Sequence, residues 1–125
     1  MFKLRYLDSF GSPSAVSVPM TAGVNYEAGL PLTAAGVIAA GTVKPEYICL
    51  EKATGVAGEN VAAFRILPQH TFETKLSAAG SSLKVGNKVT IATAGAGVTA
   101  TTTDGVAEIV RIDGTAAGDT VLVKF

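Results

Sequence analysis

The chain contains one cysteine, Cys49, one histidine, His70, and no tryptophan. A single cysteine excludes an internal disulfide and any multi-cysteine metal centre. A single histidine with no partner at ligand spacing gives no zinc pattern. Charge is scarce as well. Ten Lys/Arg and ten Asp/Glu make up 16% of the residues and cancel, against about 25% in an ordinary soluble domain. Neither sign forms a run, so no basic stripe offers itself to nucleic acid or to an anionic membrane. No apolar run reaches the ~18 residues of a membrane span. The longest weakly polar stretch, residues 30–43, is interrupted by Pro31, Gly36 and Gly41. The opening residues Met1 to Asp8 lack the apolar core of a signal peptide. Neither nucleic acid nor membrane is expected as a partner.

What remains is rich in small and β-branched side chains, with 48% apolar residues over 125 positions. That length predicts one domain with one modest core. A surface so poor in charge fits a protein partly covered by partners.

The dominant apolar period is two, the strand period. Val16, Val18 and Met20 alternate with Ser17, Pro19 and Thr21, and Pro19 puts this strand at an edge because it has no N–H to give. Val24, Tyr26, Ala28 and Leu30 alternate in turn. Short strands are predicted at Tyr47–Glu51, Val61–Leu67 and Thr71–Leu76, the last with Phe72 and Leu76 inward and Glu73 and Lys75 outward. Three more follow: Lys88–Thr93, Val106–Ile112 and the C-terminal run. Turn chemistry separates them, notably Asp104-Gly105, where glycine is expected to take the positive φ. Helix signals are weak. Residues 77–85 and 33–43 allow at most one or two short helices.

Residues 1–14 stand apart. Phe2, Leu4 and Tyr6 alternate with Lys3 and Arg5, and a loop-like stretch follows, with Phe10 in it. Two readings stand side by side: a terminal first strand, or an arm that pairs with a neighbouring chain by strand addition. The arm reading divides the chain into an arm, 1–14, and a β domain, 15–125. It makes Phe2, Leu4, Arg5, Tyr6 and Phe10 the partner-binding residues.

Chemistry is hard to find. Gly95-Ala96-Gly97-Val98-Thr99-Ala100 matches a dinucleotide fingerprint after a strand, but threonines follow where a helix is needed. His70 reads as a loop histidine and Cys49 as a small core residue; a nucleophile–base pair of the two would have to be assembled in space, and nothing around Cys49 resembles a nucleophile turn. Glu51 and Glu59, or Asp113 and Asp119, are the imaginable acid–base pairs, yet the two aspartates sit where aspartate bonds local backbone N–H groups. Thr99 to Thr103 reads as an exposed β ladder. The sparse aromatics offer no sugar-stacking platform. No catalytic residue, cofactor site or metal site is assigned, and the chain is not expected to be an enzyme.

Several segments resemble a known family. They are Lys44-Pro45-Glu46-Tyr47-Ile48-Cys49-Leu50-Glu51, Phe64-Arg65-Ile66-Leu67-Pro68 with Phe72-Glu73-Thr74, Val98 through Val110, and Gly114-Thr115-Ala116-Ala117-Gly118-Asp119. Pro19 through Gly29 is similar to the opening strands of the same proteins. Together they resemble the small head-decoration, or capsid cement, proteins of tailed bacteriophages, over roughly residues 15–125. The resemblance implies an all-β, compact barrel-like or tulip-like domain on the outer surface of an icosahedral capsid. It also implies the major capsid protein as partner, self-association as a homotrimer, no cofactor, and synthesis in a host bacterial cytoplasm. A host-surface or glycan-binding β module displayed on a virion is the alternative.

Overall fold

The computed structural model describes residues 1–6 and 14–125, with Tyr6 described by its backbone alone. The strands are β1 (Lys3–Tyr6), β2 (Ala15–Pro19), β3 (Asn25–Tyr26), β4 (Pro31–Leu32), β5 (Tyr47–Cys49) and β6 (Ala53–Thr54). They continue with β7 (Asn60–Arg65), β8 (Thr71–Lys75), β9 (Lys88–Val89), β10 (Ala107–Ile112) and β11 (Thr120–Lys124). The one helical element among the described residues is a 3-10 turn at Thr93–Gly95. The fold is all-β.

These strands form three open antiparallel sheets. One has the order β1-β8-β11-β10-β9, a second β2-β7-β5-β4, and β3 and β6 form a small ribbon. The two larger sheets close on each other through side chains rather than through a continuous ladder. Their shared core runs from Val89, Ile109, Val121 and Phe72 on one sheet to Ile48 and Phe64 on the other. A second cluster, with Val18, Tyr26, Leu32, Cys49 and Val61, fills the space beneath the β3–β6 ribbon.

The alternation read from sequence sets these faces. On β8, Phe72 and Thr74 are buried, as is Leu76 beyond the strand, while Lys75 is exposed. Thr74 is the polar exception on that inward face, and its hydroxyl donates to the Met1 carbonyl at 2.8 Å. This offsets the cost of burying an oxygen away from water. β2 is an edge strand, as Pro19 requires. An aromatic chain ties the sheets together. Phe64 stacks on Phe72 at 6.1 Å, Phe72 meets Phe125 at 5.7 Å, and Phe125 meets Phe2 at 5.3 Å. Contacts of this kind are worth about 0.5–1.5 kcal/mol each beyond the area they bury.

The structure departs from the strand readings at residues 24–30 and at the threonine run, and it decides the two weak helix signals between them. Residues 24–30 are not one strand. The chain turns at Glu27–Leu30, and Gly29 is drawn into the gap between Phe2 and Cys49, accepting from the Phe2 N–H and donating to the Cys49 carbonyl. Residues 33–43 and 77–85 hold no helix. The first instead forms bridges from Ile38 to Leu32 and from Gly41 to Ile91. The threonine run is a loop rather than a ladder. Thr99 Oγ1 shares a 2.6 Å hydrogen bond with Thr90 Oγ1 and accepts the Thr101 N–H, which folds the run back on itself.

The Asp104-Gly105 turn is present, but its chemistry is reversed. The positive φ, 53°, falls on Asp104. Gly105 is needed for a different reason: a Cβ there would collide with the Lys88 carbonyl and the Val89 amide.

Candidate functional site

The segment expected to meet a partner begins inside the fold. β1 pairs antiparallel with β8, Lys3 opposite Glu73 and Leu4 opposite Phe72, with a bulge before Tyr6 opposite Thr71. Phe2 is 2% exposed and Leu4 packs against the same core. Burying a phenylalanine side chain contributes roughly 1.5–3 kcal/mol. The two residues before β1 are held from three directions. The terminal amine donates to the Ala96 carbonyl, the Met1 carbonyl accepts from Thr74, and the Phe2 N–H donates to Gly29. Residues 1–6 therefore belong to the body of the fold, and the arm reading is corrected there. Phe2 is a core residue that cannot be offered to a partner without opening the sheet packing. Arg5 pairs with Glu73 across the ladder at 3.6 Å, both side chains partly exposed. Phe10, like the rest of residues 7–13, lies outside the described residues.

Residues 7–13 join two sheet edges, since β1 ends the five-stranded sheet and β2 ends the four-stranded one. On β2, only Val18 is buried; Ala15, Val16, Ser17 and Pro19 are exposed. Val16 shares a face with Val18 but is 39% exposed.

Three of the shallow grooves among the described residues bear on the candidate site. One of about 310 Å³ is walled by Lys44, Glu46 and Arg65 over a floor that includes Ile66, Leu67 and Phe125. It lies where the Lys44–Glu51 and Phe64–Pro68 segments meet, joined by the Tyr47–Arg65 pairing and by the Ile66 N–H donating to the Glu46 carbonyl. The other two, about 290 and 470 Å³, flank Met1. The first groove contains neither a thiol nor an imidazole; it presents two cations and one carboxylate over apolar ground.

The residues singled out for chemistry are placed as follows. His70 is buried, with its Nδ1 accepting the Leu67 N–H at 3.1 Å and its ring edge-on to both Phe64 and Phe72. Burial holds its pKa below the usual histidine value, favouring the neutral ring that this acceptor role needs. Cys49 is buried in the second cluster, and its thiol donates to the Glu51 carbonyl. Burial pushes that thiol above its usual range. The structure does not join Cys49 and His70; each is engaged with nearby backbone. Glu51 accepts the Ala62 N–H and so ties the end of β5 to β7. Asp119 accepts the Ala116 N–H, the local bond expected of a turn aspartate. Asp113 departs from that expectation, since its carboxylate takes the Arg111 Nε–H at 2.7 Å. After the fingerprint glycines the chain forms bridges at Val98, to Leu76 and Ile91, where a nucleotide fold would begin a helix.

Among the described residues, no three His, Cys, Asp or Glu side chains gather into a metal cluster, and no helix is long and apolar enough to cross a membrane. Neither the Glu51 clasp on β7 nor the Thr74 clasp on residue 1 is readable from sequence, because both bonds join distant segments. Set beside known protein families, curated proteins and solved structures, the chain matches none of them.

Proposed function

We propose that this protein is a structural component of a virion, binding the outer surface of an icosahedral phage head and stabilising the lattice of the major capsid protein. The observation that carries the reading is the resemblance of four segments to phage head-decoration proteins. Two of them, Lys44–Glu51 and Phe64–Pro68, form adjoining walls of one charged groove. The all-β body supports it physically, because two sheets locked by an aromatic chain make a rigid unit. Contacts that are weak singly become strong when repeated over a lattice. In this reading the protein is made in a bacterial cytoplasm and acts as a trimer on the head. Contact with the capsid involves the partly exposed Arg5 and the residues after Tyr6, but not the buried Phe2.

Mixing the purified protein with undecorated heads tests the proposal. Bound density on the outer surface and a higher disruption temperature of the heads are expected. Absence of binding at saturating protein overturns it. Selective glycan binding on an array, without head binding, replaces it with the displayed glycan-binding module.

A further inference from the structure

We infer that β2 is a self-pairing edge, through which two copies of this chain join their four-stranded sheets into one continuous sheet. This goes beyond the capsid reading and does not depend on it.

The other edges of the two large sheets are blunted. β1 carries Lys3 and Arg5 and a bulge. β4 is flanked by the Ile38 bridge and by the Ala39 N–H on the Pro31 carbonyl. β9 is two residues long and includes Lys88. These are the usual guards against edge pairing. Among the described residues β2 has one such guard, Pro19, and only at its last position. It runs five residues, Ala-Val-Ser-Val-Pro, in unbroken register with β7 and without a charge.

The direction of its hydrogen bonds follows from one contact. The Met20 N–H donates to the Glu59 carbonyl across the β2–β7 pair. Backbone groups alternate sides along a strand, so Val16 and Val18 also face β7, while Ala15, Ser17 and Pro19 face outward. Pro19 has no N–H, and Gly36 crowds its carbonyl so closely that a Cβ there would clash. The open ladder is thus Ala15 and Ser17, each with one N–H and one C=O, in the exposed run Ala15 to Ser17.

That pattern is complementary to itself. In a two-fold antiparallel pair centred on Val16, Ala15 of each copy exchanges both hydrogen bonds with Ser17 of the other. Four main-chain bonds form, with each partial positive N–H set against a partial negative carbonyl. The two Val16 side chains meet as a non-hydrogen-bonded pair, with Cα atoms about 4.5 Å apart. No charge on β2 opposes its own copy. Pro19 ends the ladder on both sides and fixes the register. So short an edge buries little area and belongs with weak, transient contacts. It becomes effective where copies are concentrated or tethered side by side.

The test is cross-linking joined to a mass measurement on the intact chain. Under mild oxidation Val16→Cys should give a covalent dimer as its main product, since disulfides span Cα separations of about 4.4–6.8 Å. Ser17→Cys, whose two copies lie about two residues apart along the ladder, should stay largely monomeric. Wild type, with Cys49 buried, is the control. By sedimentation at concentrations up to about 1 mM, Val16→Lys and Ser17→Pro should each halve the average mass of the associated species. Ser17→Pro removes only an outward N–H, and Val16→Lys serves should the proline variant not fold. Equal cross-linking at positions 16 and 17, no cross-linking at 16, or an unchanged mass for folded Val16→Lys would each overturn the proposal.

Discussion

β1 and β2 are the two strands flanking residues 7–13, and each lies at the edge of its sheet. They solve the edge problem in opposite ways. β1 is guarded outside and anchored inside: lysine, arginine and a bulge on the rim, Phe2 beneath the fold, and residue 1 bonded to Ala96 and Thr74. β2 is anchored only at Val18 and, among the described residues, guarded on its rim only by Pro19 at its end. Stability at this end of the molecule is therefore concentrated in β1, while capacity for association is concentrated in β2.

Removing residues 1–14 makes the sharpest break in that comparison. It deletes the β1–β8 ladder, the Phe2 ring and the Met1–Thr74 bond together. Thermal melting should show a large loss of stability, with an intact melting transition contradicting the assignment of β1 to the core. Loss of head binding by that truncation would report unfolding, so it cannot by itself locate a capsid contact. Phe2→Ala isolates the anchor. A cost of about 3–5 kcal/mol is expected for emptying such a site, read as a lower denaturant midpoint. Gly105→Ala probes a region remote from both edges, where the new methyl meets the Lys88 backbone; forced overpacking of this kind costs about 1–3 kcal/mol.

A pH titration separates the shared core from the edges. His70 has its pKa lowered from 6.5 by burial. The unfolded chain then binds a proton near that pH while the folded chain resists it, so stability is full above about pH 6.5 and falls as the pH drops below it. His70→Gln should lose that dependence while Val16→Lys keeps it; an unchanged slope in His70→Gln would assign the acid sensitivity elsewhere. The smallest effect is expected at β2. Val16→Thr should alter stability by no more than about 0.5 kcal/mol, as surface substitutions commonly do, and a loss near that of Phe2→Ala would erase the contrast between the two strands.

How much of this was legible in the sequence differs along the chain. Pro19 announced an edge because a missing N–H is a local property. The Phe72–Leu76 alternation gave the inward face of β8 for the same reason. Phe2, Leu4 and Tyr6 carried the same period, so a first strand was readable there. Its burial was not, because the period names a face and leaves the neighbour unspecified. The neighbour is β8, with Lys3 opposite Glu73. The Asp104-Gly105 pair was found as a turn but misassigned within it, since the decisive contact, the Lys88 carbonyl, belongs to another strand. The charged groove was invisible for a similar reason: Lys44 and Arg65 meet only once β5 and β7 pair.

The bond between Thr74 and Met1 also orders events in time. Synthesis delivers residue 1 well before Thr74, whose hydroxyl bonds its carbonyl and which emerges more than seventy positions later with the strand that β1 needs. The opening strand must wait, unpaired, while most of the chain is made. Long-range pairings of this kind are slow to form and leave strands exposed to wrong partners in the interval. Lys3 and Arg5 thus serve the newborn chain before they serve the finished one, keeping a waiting strand soluble until its place exists.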